Sequence, residues 1–128
     1  MAEELSSCLI NVPAVTLHPR QSVSEAACHV AWQHWDAIRG LLSGNLFVSA
    51  AVLHRAQYEA LVRSIWLLFC ASDDQISKLW SRSSPEAERV GKDLPSAAEM
   101  LWGLREKAPK EAYDPLASFK DVSWRALN

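Results

Sequence analysis

Apolar positions recur almost without a break from Leu46 to Cys70, and only His54, Arg55, Gln57, Glu59 and Arg63 cross the run with strongly polar groups. At about 100° per residue, Val48, Val52, Trp66 and Cys70 fall on one arc, and Arg55, Glu59 and Arg63 fall on the same arc within roughly 80° of one another. The opposite arc holds Ala50, Leu53, Gln57 and Ser64, so neither side reads as a solvated face. The pattern predicts a central helix with its charges set inside an apolar face. A glutamate with an arginine one turn before it and one turn after it is the arrangement in which buried charge is tolerated.

The flanking pattern predicts further helices. Ser22 with Glu25 forms a capping box, and a helix follows to about Ser43, before Gly44, with Val23, Ala27, Val30, Ala31, Ile38 and Leu41 on its core arc. His34 lies in the middle of that arc. Gly44 and Asn45 break the chain tightly, which predicts a long antiparallel αα-hairpin. A turn centred there sets position 34 opposite 55 and position 30 opposite 59. The expectation is a buried polar cluster of His34, Arg55, Glu59 and Arg63 with Tyr58 as a lid, and such a cluster more often fixes helix register than performs chemistry.

Downstream, Ser72 with Gln75 caps a short helix through Ile76, Leu79 and Trp80, and Ser84-Pro85-Glu86 opens a polar helix ending near Gly91. Ser96 with Glu99 caps another through Met100, Leu101 and Leu104 to about Lys107. After Pro109, Asp114-Pro115 restarts a helix with Leu116, Phe119, Val122 and Leu127. No strand alternation, repeat or low-complexity tract competes with these patterns. The fold expected is all-α: an up-and-down bundle of about five helices over residues 22–128, with residues 1–21, which contain Pro13 and Pro19, as a lead-in.

Composition narrows the picture. A chain of 128 residues with 49% hydrophobic and 22% charged positions can bury a core of its own. A net charge of -2 withholds the electrostatic footprint of a nucleic-acid binder. Cys8, Cys28 and Cys70 have no metal-type spacing and read as reduced thiols, and the acidic start Met-Ala-Glu-Glu-Leu is unlike a secretory signal. The polar residues between His54 and Arg63 leave no apolar run long enough to span a membrane. The location expected is the cytoplasm, with no membrane association.

The chemical motifs are mostly absences. There is no Gly-rich phosphate loop, H-E-x-x-H, C-x-x-C or G-x-S-x-G, and no cofactor is implied. Glu25 and His29, one turn apart, are the nearest approach to a metal pair and read as a solvated face; no metal site is expected. The tryptophans, Trp32, Trp35, Trp66, Trp80, Trp102 and Trp124, sit mostly beside apolar positions, as core or dimer anchors do.

The stretch Ser49-Ala-Ala-Val-Leu-His-Arg-Ala-Gln-Tyr-Glu-Ala-Leu-Val-Arg-Ser-Ile-Trp, after a helix and a Gly44-containing turn, resembles uncharacterised bacterial helical proteins similar to distant HEPN domains. The resemblance spans roughly residues 20 to 128. It implies a small helical bundle, commonly dimeric, in a superfamily that includes toxin-antitoxin and defence ribonucleases alongside inactive binding modules. The signature of the active members is an Arg, four to six residues, then a His on the last long helix, often with an Asn between. No Arg here is followed by His at that spacing, but Trp124-Arg125-Ala126-Leu127-Asn128 looks like its opening half. The resemblance makes Arg125, with Asn128, the candidate catalytic position, and the uncapped final helix suggests a chain that continues to the missing His. Cleavage through the 2′-hydroxyl needs a general acid or base near neutral pH and a cation for the developing phosphorane charge, and without its His an Arg supplies only the second.

Two functions follow as expectations: a ribonuclease with an incomplete motif, or a non-catalytic dimeric interaction or regulatory module with an antitoxin or other protein as a further partner. The first makes RNA a substrate, for which the net charge gives no support. A third reading, a small-ligand pocket organised by Arg55, Glu59 and Arg63, requires a cavity that reaches those side chains.

Overall fold

The computed structural model describes residues 18–81 and 85–127, apart from the side chains of Glu86 and of residues 124–127. Among these residues six helices follow in order: α1 Pro19–Ser43, α2 Phe47–Phe69, α3 Asp73–Trp80, α4 Pro85–Lys92, α5 Ala97–Lys107 and α6 Lys110–Leu127. No strand occurs among the described residues, so the chain is an all-α bundle. The most extensive packing is between α1 and α2; α5 and α6 close on α2, while α3 packs on α1 and α4.

The α1–α2 hairpin has the expected register. Ser24 Oγ donates to Ser64 O at 2.8 Å, Arg20 Nη1 donates to Leu67 O at 2.8 Å, and Arg20 Nη2 pairs with Asp73 at 2.8 Å. Arg20 thus satisfies one of the carbonyls that the end of α2 leaves without a helical partner, and ties α1 to the start of α3.

The turn is a Schellman arrangement: Leu46 N–H donates to Leu41 O at 2.8 Å and Asn45 N–H donates to Leu42 O at 3.1 Å. The left-handed residue is Asn45, with φ 60°, whereas Gly44 at φ -90° is an ordinary helix cap. Asparagine is among the few side-chain-bearing residues that tolerate this backbone.

Two helix starts differ from the sequence expectation. The first helix begins at Pro19 and not at Ser22, because the His18 side chain takes the capping role: Arg20 N–H donates to His18 Nδ1 at 3.3 Å and His18 N–H donates to Gln21 Oε1 at 3.2 Å. Proline suits the first helical position, where an N–H would find no partner. Ser22 is already inside the helix, its N–H bonded to His18 O. Likewise α6 starts at Lys110, with Ala112 and Tyr113 donating to Pro109 O, and carries Pro115 in its second turn instead of restarting there.

Ser72 with Gln75 and Ser96 with Glu99 form the capping boxes their spacing predicts. The lead-in through residue 17 and the Ser84 cap lie outside the described residues. The core is centred on the second half of α2, where Val62, Trp66 and Leu67 meet Met100, Leu101 and Leu104 of α5, Ile76 of α3 and Leu116 of α6.

Candidate functional site

The arc of α2 that carries Ser64 faces α1, and its small side chains let the two helices approach closely; Ala50 of that arc and Ala31 of α1 are both buried. Arg55, Glu59 and Arg63 lie on the opposite arc. They are therefore not the buried cluster expected from the sequence: Arg55 and Arg63 are exposed, Glu59 is half-buried, and Arg55 Nε pairs with Glu59 Oε1 at 3.3 Å as an ordinary surface pair one turn apart. His34 is half-buried on α1. The helical pattern placed all these residues on the right arcs. What it lacked was that small residues such as Ala50 and Ser64 mark the side where a second helix comes closest.

The same arc of α2 changes character along its length. Trp66, 7% exposed, is covered by α5, whose Gly103 places backbone against it: a Cβ there would lie 3.7 Å from Trp66 Nε1 and 4.0 Å from Cys70 Sγ. Toward the hairpin tip no helix among the described residues covers the arc, and Val48 is 82% exposed, Val52 66% and Phe47 61%. Leu42 and Leu46 of the turn add further exposed apolar surface.

Beside this face, α1, α2 and α6 enclose a cleft of about 390 Å³. Helical spacing on α2 turns His54, Gln57, Tyr58 and Leu61 toward it; Trp35 comes from α1, and Pro115, Leu116 and Phe119 come from α6. The His54 ring meets Phe119 edge-on, with centroids 5.0 Å apart and planes at 72°, and Tyr58 stacks on Phe119 at 5.0 Å and 27°. His54 Nδ1 and Gln57 Oε1 are 3.3 Å apart. The carboxamide oxygen only accepts, so the contact is a hydrogen bond in the tautomer that carries its proton on Nδ1, and in that tautomer Nε2 is an acceptor.

Tyr58 is not a lid over Arg55, Glu59 and Arg63. It is 6% exposed, and its hydroxyl donates to Leu116 O at 2.8 Å, joining α2 to α6. Burial, with smaller effects from Tyr113 and Asp121, pushes its pKa from 10.0 up to about 12. A smaller hollow of about 110 Å³ lies on its other side, beside Ala97, Ala98 and Lys120. None of Arg55, Glu59 and Arg63 lines either space.

The side chain of Arg125 and the whole of Asn128 lie outside the described residues. Among the described residues no group of three or more His, Cys, Asp or Glu side chains could hold a metal, and no helix is long and apolar enough to cross a membrane. Glu25 and His29 are exposed, and the His29 ring contacts Gln33 at 3.3 Å. Burial raises the pKa of the Cys70 thiol, with Lys107 opposing, so that side chain is held toward the unreactive thiol form. Of the tryptophans, Trp66 is core, while Trp102 is 72% exposed under the Arg105 guanidinium, 5.4 Å from its ring centroid.

The fold and site define an all-α bundle with an aromatic cleft and an uncovered apolar helix face. The chain belongs to DUF6988, a family of unknown function whose model matches residues 28–128. No curated protein and no solved structure matches it.

Proposed function

We propose that the protein is a non-catalytic interaction module that pairs with a second copy of itself through the uncovered first half of α2. The observation that carries this reading is the exposed apolar surface of Leu46, Phe47, Val48 and Val52, gathered at one end of the hairpin. Exposed apolar surface is unfavourable in water, and removing it from solvent contributes about 25 cal/mol per Å².

An antiparallel crossing of α2 about a two-fold axis near residue 50 sets Val48 of one copy against Val52 of the other, and the reverse, so the exposed apolar face covers itself and a second copy is the occupant.

Sedimentation or light scattering at tens of micromolar protein tests the proposal. The expected particle has twice the 14.3 kDa chain mass, and Val52→Asp returns it to the single-chain mass with its helical circular dichroism intact. A single-chain mass that persists at several hundred micromolar overturns it.

A further inference from the structure

We infer that the cleft between α1, α2 and α6 is a binding site for a neutral, planar nitrogen heterocycle of nucleoside size. Its volume, about 390 Å³, lies in the range of small-molecule sites. Two aromatic side chains from opposite helices border it, Trp35 of α1 and Phe119 of α6. The Phe119 ring is held by Tyr58 stacked on it and by the edge of His54, so that wall is already ordered before any ligand enters. Flat apolar walls favour a flat ligand.

The polar part of the lining determines what kind of flat ligand. His54 and Gln57 are neighbours one turn apart and are joined through Nδ1 and Oε1. In the Nδ1–H tautomer that bond uses the ring donor and the amide oxygen, and it leaves the lone pair of Nε2 and the hydrogens of the Gln57 carboxamide as an acceptor beside a donor. A ring edge with an amino group next to a ring nitrogen, as in a purine, offers the matching pair. Among the described residues no Asp, Glu, Lys or Arg lines the cleft, so the ligand expected is uncharged.

Backbone amide NMR shifts during titration with adenosine, and separately with indole, test this on the full chain. Adenosine is expected to give saturable shifts centred on His54, Gln57, Leu61 and Phe119, and to bind about tenfold more tightly than indole, whose edge lacks the acceptor. Gln57→Leu, with circular dichroism confirming the fold, is expected to remove that preference while indole binding stays unchanged. Shifts scattered over the surface, no saturation, or equal binding of the two probes overturns the site. So does a cleft whose signals move only with protein concentration, because a second copy then fills it. Val52→Asp separates this result from that of the pairing surface: adenosine binding is expected to survive in the single chain.

Discussion

Tyr58 does at residue scale what no other polar side chain of the cleft does, because it is buried and its hydroxyl joins two helices. Replacing it with phenylalanine keeps the stack on Phe119 but removes the bond to Leu116 O. The expected cost is about 1 kcal/mol in chemical denaturation near neutral pH. The pH dependence follows from the raised pKa. Ionisation is harder in the folded chain than in the unfolded one, so the contribution is whole below pH 10.0 and is lost as pH rises through about 12. The advantage of the native residue over Tyr58→Phe is therefore expected to shrink between about pH 10 and about pH 12, and an advantage that grows contradicts the assignment. Leu104, at 0% exposure, sets the upper scale: Leu104→Ala is expected to cost about 2–5 kcal/mol by transfer and cavity terms together.

At the scale of elements, the hairpin turn and the interior of α1 give opposite predictions for small residues. Asn45 occupies left-handed backbone, so Asn45→Gly is expected to be neutral or slightly stabilising and Asn45→Val to cost about 1–2 kcal/mol. Gly40 lies inside α1 with open space where a Cβ would stand, and Gly40→Ala is expected to raise stability by about 0.5–1 kcal/mol. Thermal unfolding of the three variants checks both.

Much of this level is legible in the sequence, because caps and turns are local: Ser72, Ser96 and the break at 44 and 45 announce themselves by spacing. The helix starts that were missed also have local causes, since a histidine acceptor followed by proline displaced the more familiar serine cap at 22. The facing of α2 is different. Both of its arcs are rich in apolar residues, and which one meets α1 is decided by the close approach that Ala50 and Ser64 permit. That is a property of two helices together, so the position of Arg55, Glu59 and Arg63 at the surface could not be read from one. The cleft was missed for a related reason: His54, Gln57, Tyr58 and Leu61 form a visible stripe, but its aromatic partners come from α1 and from α6, whose Phe119 lies more than fifty residues downstream.

At the scale of the whole molecule, the same surface that α5 covers at one end of α2 is open at the other, and the consequence is a coupling between stability and concentration. If a second copy covers Val48 and Val52, only the folded chain can make that contact, so the pairing stabilises the native state by mass action. The melting temperature is then expected to rise with protein concentration, and to lose that dependence in Val52→Asp. The position of the crossing gives a sharper version. With the axis near residue 50, Arg55 and Glu59 lie beyond the valine contact, so Glu59→Arg is expected to leave the association constant within about threefold, whereas Val48→Asp lowers it about tenfold or more. The opposite ranking would move the crossing along α2 toward residue 57 and take the apolar tip out of the interface.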